Sequence, residues 1–111
     1  MIARVWQGVV PMEKADGYGR YLSDSDHGVS DYQKTPGNRG AYLMRRVLGD
    51  RVHFLLVSLW ESREAIQAYA GPDIKQARYF PYDKECLIEP EPQVAHYEVL
   101  ASPGGDEGDA T

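Results

Sequence analysis

The chain has 111 residues, of which 42% are hydrophobic and 26% charged, and its formal net charge at pH 7 is −5. These values exclude a disordered chain and fit one compact domain. The last ten residues carry −3 of that charge, which leaves −2 for the remainder and no basic field to collect phosphates, so we expect no nucleic-acid partner. The single cysteine, Cys86, excludes an internal disulfide and fits a cytoplasmic protein, and no segment predicts a signal peptide or a membrane span.

Hydrophobic periodicity predicts the elements of the fold. In chain order they are a strand at 2–10, a helix from Met12, two strands at 39–48 and 52–60, a helix capped by Ser62 and closed by Gly71, a short helical turn at 73–78 and a strand at 93–101. The strand at 52–60 is so uniformly apolar that we expect it to be central and covered on both faces.

The resulting order of elements predicts an α+β, ferredoxin-like βαββαβ fold. Its four-stranded antiparallel sheet should carry both helices on one face. On the other face the sequence leaves Leu55, Val57 and Leu59, and a second copy of the chain is the simplest cover for them. We expect this domain to span 1–101, and the acidic residues 102–111 to form a disordered tail.

Four segments resemble the antibiotic biosynthesis monooxygenase family: the first strand, PGNRGAYL, FLLVSLWESREAIQAYAG and the closing HYEVL. The resemblance covers roughly residues 2–100 and implies a dimeric α+β barrel with a pocket in each subunit between helices and sheet. Members include monooxygenases of polycyclic aromatic polyketides that need no cofactor, quinol monooxygenases and haem-degrading enzymes. The resemblance therefore implies a fold more firmly than a reaction.

The haem-degrading members carry an Asn on the first strand, a Trp in the second helix and an axial His about ten residues later. The matching positions of this sequence hold Trp6 or Gln7, then Tyr69, then about Tyr79. Since all three positions differ, the resemblance predicts that haem is not bound, and we expect no cofactor. A tyrosine ligand to haem stays open as an alternative.

We expect an aromatic pocket with few polar groups. The resemblance to the cofactor-independent members implies a phenol that, once deprotonated, passes an electron to dioxygen, and this chemistry needs an aromatic wall, a base and a cation. The candidate catalytic residues of these types are Trp60, Tyr79, His96 and Arg39. The candidate substrate-binding residues are Trp6, Gln7, Tyr69, Phe54 and Tyr82. Core packing explains Trp60 and Tyr69 at least as well as a site does, and His96 is as readily a hydrogen-bond partner of a neighbouring strand.

The three histidines, His27, His53 and His96, lack the paired spacing of metal ligands, so no metal site is expected. The resemblance implies a cytoplasmic homodimer that acts as a cofactor-independent monooxygenase on a small planar phenol, quinol or polyketide-type aromatic. Two alternatives use the same barrel: a non-catalytic binding or stress-response protein, and a cyclase or isomerase that works without oxygen.

Overall fold

The computed structural model describes residues 1–24, 34–77 and 79–102. Its strands and helices are, in chain order, β1 Ile2–Pro11, α1 Met12–Asp24, β2 Asn38–Leu48, β3 Arg51–Trp60, α2 Arg63–Ala70, α3 Pro81–Cys86 and β4 Ala95–Glu98. The strands form one antiparallel sheet in the order β2-β3-β1-β4, which confirms the predicted ferredoxin-like α+β fold. His27 and nearly all of the acidic tail lie outside the described residues.

Strand alternation gives the sheet two unlike faces. The even-numbered residues of the two central strands, from Arg4 to Val10 and from Val52 to Trp60, point toward the helices and are buried. Tyr18 of α1 and Ile66 of α2 belong to the same buried cluster. This inner face therefore holds the core of the molecule.

The outer face of the sheet is apolar and partly open. Leu55, Val57 and Leu59 of β3 lie on it and are half-buried. Three large side chains of the same face are more exposed, Tyr42 at 61%, Met44 at 47% and Tyr97 at 59%. The surface that the sequence predicts on β3 thus extends across β2 and β4.

Helix α2 begins and ends where the sequence predicts. The Ser62 hydroxyl accepts a hydrogen bond from the Ala65 amide at 3.2 Å, which caps the first turn. At the other end Gly71 adopts φ 91, and its amide donates to the Gln67 carbonyl at 2.9 Å. No helix among the described residues is long and apolar enough to cross a bilayer.

The segment between α2 and β4 differs from the prediction. Residues 73–77 form a turn and a short ladder in place of a helical turn, because Gln76 pairs with Gln93 and the Val94 amide donates to the Lys75 carbonyl at 2.8 Å. The strand β4 is correspondingly shorter than the predicted 93–101.

Helix α3 replaces part of a predicted loop. Pro81 stands in its first turn, where a fixed φ and a missing amide hydrogen cost nothing. The Asp83 carboxylate accepts a hydrogen bond from the Phe80 amide at 2.7 Å and so gives a partner to a backbone N–H at the start of the helix. A six-residue helix shows little amphipathic repeat, which is why the periodicity of the sequence did not predict it.

Candidate functional site

Two groups of side chains in contact lie on the inner face near β4, Trp6 with Tyr79 and Arg4 with His96 and Tyr69, and we call these five side chains the aromatic corner. Arg4 and Trp6 stand two residues apart on β1, so both point to the helices. His96 of β4 is in register with Arg4. Tyr69 comes from the last turn of α2, and Tyr79 precedes α3. Four of the five were candidates of the sequence analysis, and only Arg4 was not.

Trp6 and Tyr79 are joined by a hydrogen bond. The indole Nε1 donates to the Tyr79 hydroxyl at 3.1 Å, and the rings stand edge to face with centroids 6.4 Å apart. The same hydroxyl donates to the Glu91 carbonyl. The indole is buried and lies over Gly8, where a Cβ would come within 2.7 Å of Leu87 Cδ2 and closer still to the indole.

Arg4 is 1% exposed, yet it forms no ion pair with any described carboxylate. Its guanidinium donates to the carbonyls of Ile74 and Gln76 and faces His96 Nε2 at 3.2 Å. It also lies 5.9 Å from the centre of the Tyr69 ring. Strand alternation, which places it on the face of Trp6, is the sequence signal that would have found it.

His96 is uncharged at neutral pH. Partial burial, together with the positive charges of Arg4 and Arg63, lowers the pKa of its imidazole to about 4. Because Arg4 can only donate, Nε2 is the acceptor of their contact and the ring proton belongs on Nδ1. The corner therefore offers a neutral acceptor next to a fixed cation.

Trp60 lies beneath Tyr69 and is fully buried. Its indole Nε1 donates to the Ser58 hydroxyl at 2.8 Å, and its ring centre is 5.8 Å from that of Tyr69. These surroundings are those of a core residue, so core packing, the alternative reading of Trp60, describes its position. A role for Trp60 in the reaction stays a prediction.

The structure places the other four candidates away from the aromatic corner. Gln7 is exposed on the outer face, and Arg39 is an exposed residue of β2 whose Nη1 lies 3.2 Å from Glu61 Oε2. Phe54 is buried against Tyr18 with ring centroids 5.6 Å apart, and Tyr82 of α3 is partly exposed. Substrate binding by these four residues stays a prediction.

A second polar group of the core was also not predicted. The buried Asp83 carboxylate accepts the Tyr18 hydroxyl at 2.7 Å in addition to the Phe80 amide. Burial and this contact raise the pKa of Tyr18 far above its ordinary value, and burial raises the pKa of the neighbouring Tyr21 to about 12. Both phenols therefore stay protonated, and the group ties α3 to α1.

The chain is similar to a haem-binding protein of known structure. No protein-family model matches it, and no curated protein does. Among solved structures it is similar to the heme-degrader MhuD from Mycobacterium tuberculosis, at 25% sequence identity and a TM-score of 0.62, over 94% of this chain and 100% of that chain. The similarity supports the dimeric α+β barrel superfamily. It also supports a monooxygenase-like role, without establishing the substrate.

The prediction that no cofactor is involved is wrong, because MhuD was solved with two hemes bound in its active site. The prediction rested on three ligand-type positions and did not consider the walls of the site. The aromatic corner holds one side chain of a type that ligates haem iron, the Tyr79 hydroxyl, as tyrosine does in catalase. No three His, Cys, Asp or Glu side chains group as a metal site within 1–24, 34–77 and 79–102.

Proposed function

We propose that the chain is a monooxygenase-like protein that binds a planar, largely apolar ring system, haem foremost, at the aromatic corner. The observation that carries this proposal is the pairing of Trp6 with Tyr79, which puts a phenolic oxygen and an indole side by side on the inner face. The similarity to a heme-degrader over the length of the chain supports the same ligand class.

Each residue of the corner has a distinct part in this proposal. Tyr79 offers the ligand oxygen, and Trp6 and Tyr69 offer aromatic surfaces to a flat ring. Arg4 stabilises negative charge near the ring, and His96 accepts a hydrogen bond from Arg4 through Nε2 and so holds the guanidinium in place. Bound haem would supply an iron at which dioxygen can be activated.

A small planar phenol or quinol, including a polyketide-type aromatic, is the second candidate substrate. The observation that favours it is the buried guanidinium of Arg4, because the phenolate form of such a substrate needs a cation beside it. We propose in addition that the working form is a homodimer paired through the outer face, whose Tyr42, Met44 and Tyr97 are exposed.

Titration of the protein with haemin tests the first candidate. We expect saturable one-to-one binding with a shifted Soret band, and loss of that band when reductant and dioxygen are added. Tyr79→Phe should change the Soret position and weaken binding about tenfold or more, because it removes the ligand oxygen and keeps the ring.

Tyr21→Phe is the matched control, since it removes a hydroxyl from a tyrosine of α1 that stacks on Tyr18, away from both the aromatic corner and the outer face. Its spectrum and affinity should equal those of the unaltered protein. A protein that shows no saturable binding, or a Tyr79→Phe variant with unchanged spectrum and affinity, contradicts the haem proposal. Oxygen uptake with quinols and hydroxylated anthrones then tests the second candidate.

A further inference from the structure

The side chain of Arg4 is a buried cation whose neighbours are all uncharged. It contacts two backbone carbonyls, a neutral imidazole and the face of a tyrosine. Its Nε is buried and has no hydrogen-bond partner. A buried guanidinium group is normally paired with a carboxylate, because moving an unpaired charge out of water into the interior is strongly unfavourable.

The described residues around Arg4 do not supply that negative charge. Glu98, the acid on the same face of β4, is exposed and lies in register with Ile2. Arg63 at the start of α2 is a second positive charge, close enough to act on His96. The net field at this place is therefore positive, which suits an anion from outside the chain.

One edge of the guanidinium is available in the geometry that a carboxylate prefers. The Nε and Nη2 groups point along the same edge and can bind both oxygens of a carboxylate in parallel. In the structure Nε has no partner, and Nη2 donates to the Gln76 carbonyl at 3.1 Å. The opposite group, Nη1, is held by the Ile74 carbonyl and faces His96.

We propose that Arg4 is an anion subsite, which holds a carboxylate carried by the planar ligand through its Nε and Nη2 groups. The inference rests on the proposed function and narrows its ligand class to flat rings that bear a carboxylate. Haem is one such ring, and a carboxylated aromatic is another. Tyr69 and Trp6 then contact the ring, while Arg4 fixes its orientation.

Binding in this way needs a local rearrangement at residues 74–77. The carboxylate shares or replaces the Gln76 carbonyl as the partner of Nη2. Gln76 is held to the rest of the fold by its bridge to Gln93 and by the Ala77 amide, which donates to the Pro92 carbonyl at 3.0 Å. A shift of this segment opens Arg4 without disturbing β1.

The test compares two iron-free rings that differ only in charge, protoporphyrin IX and its dimethyl ester, by fluorescence titration. We expect the diacid to bind at least about tenfold more tightly than the diester, as a charged bidentate contact provides. In Arg4→Gln the affinity for the diacid should fall to that for the diester, and the affinity for the diester should be unchanged. Arg45→Gln is the matched control, because it removes an exposed arginine that pairs with Asp16. This variant should keep the full preference for the diacid over the diester.

The results separate this inference from the proposed function. Equal binding of the two rings by the unaltered protein, or equal weakening of both in Arg4→Gln, overturns the anion subsite and leaves ring binding intact. Failure of both rings to bind while haemin binds overturns the subsite alone, and failure of haemin as well overturns the proposed function with it. If Arg4→Gln does not fold, Arg4→Lys keeps the charge without the paired edge, and a diacid preference as large as in the unaltered protein contradicts the proposal.

An independent readout is the imidazole of His96, followed by NMR. A carboxylate bound at Arg4 should raise its pKa from about 4, because the anion offsets the positive charges that now disfavour the imidazolium. The diester should not raise it. An unchanged titration with saturating diacid speaks against a carboxylate at this place.

Discussion

A guanidinium and an uncharged imidazole in contact make the inner face of β1 polar at one point of an otherwise apolar core. The contact forms because residues 4 and 96 are in register across an antiparallel pair, so their side chains leave the sheet side by side. Neither residue alone would mark a site: an arginine on a strand is commonly at an edge, and an isolated histidine is commonly a hydrogen-bond partner. Together they give an imidazole whose pKa is lowered in part by the neighbouring guanidinium.

The lowered pKa of His96 predicts a loss of stability in acid. Above pH 6.5 the imidazole is neutral in both the folded and the unfolded chain. Between pH 6.5 and about 4 the unfolded chain binds a proton and the folded chain does not, so the free energy of unfolding falls as the pH falls through this window. Urea unfolding of the protein and of His96→Gln, repeated from pH 7.5 to 4.5, measures the effect.

The variant should lose less stability than the unaltered protein over the same window, because glutamine does not titrate. A difference in the free energy of unfolding between the two proteins that stays constant with pH would show that the pKa of His96 is not lowered in the folded chain.

Trp60 and Tyr79 should respond differently to truncation. Trp60→Ala removes a fully buried indole and its bond to Ser58, and we expect a cost of about 3–5 kcal/mol in the free energy of unfolding. Tyr79→Phe keeps the ring and should cost about 1–2 kcal/mol, the common range for point variants. Chemical denaturation of both variants measures the two costs. A loss below about 1 kcal/mol in Trp60→Ala would contradict its placement in the core.

At the scale of single elements, the cap of α2 is the local feature that is simplest to test. Ser62→Ala removes the acceptor of the Ala65 amide and should lower the free energy of unfolding by about 1 kcal/mol. Ser62→Asp keeps an acceptor oxygen at the same place and should restore most of it. Thermal or urea unfolding reports both values, and equal stability of the two variants would refute the cap.

Local signals in the sequence predicted elements that rest on local causes. A nearly continuous apolar run defines β3, and the serine and glycine at the ends of α2 determine the bounds of that helix. The turn at 73–77 has a distant cause, because its backbone partners are some seventeen residues later, at residues 92–94. Helix α3 likewise depends on Asp83, whose role is clear only once Tyr18 is packed against it.

The candidate site was predicted in part for the same reason. Trp6, Tyr69, Tyr79 and His96 were found because their residue types suggest a site, and the fold brings them together. Arg4 was missed because no motif surrounds it, although its parity on β1 shows that it faces inward. The cofactor expectation failed because it compared residue types at three positions, whereas a flat ring is held largely by surfaces.

At the scale of the whole molecule, the outer face predicts self-association. Val57→Asp puts a charge in the middle of this half-buried apolar surface, and burying an unpaired carboxylate in a dimer contact is costly. We expect the unaltered protein to elute as a dimer and the variant as a monomer or an insoluble chain, measured by size exclusion with light scattering.

Gln67→Asp is the control for that experiment, since Gln67 is exposed on α2, away from the sheet's outer face. It should stay dimeric. A soluble, stable dimer that carries Val57→Asp would show that the outer face is not where two copies meet.

The contact between Gly8 and the Trp6 indole couples two positions of the same strand. A methyl group at Gly8 would collide with the indole and with Leu87 Cδ2, at 2.7 Å from the latter, so the wide ring at position 6 requires the absent side chain at position 8. The order of mutation then matters. In a chain that first shortens Trp6, Gly8→Ala costs less, because only the end of the Leu87 side chain then has to move. The reverse order passes through a more strained intermediate, so laboratory evolution toward a wider site should acquire changes at position 6 before any at position 8.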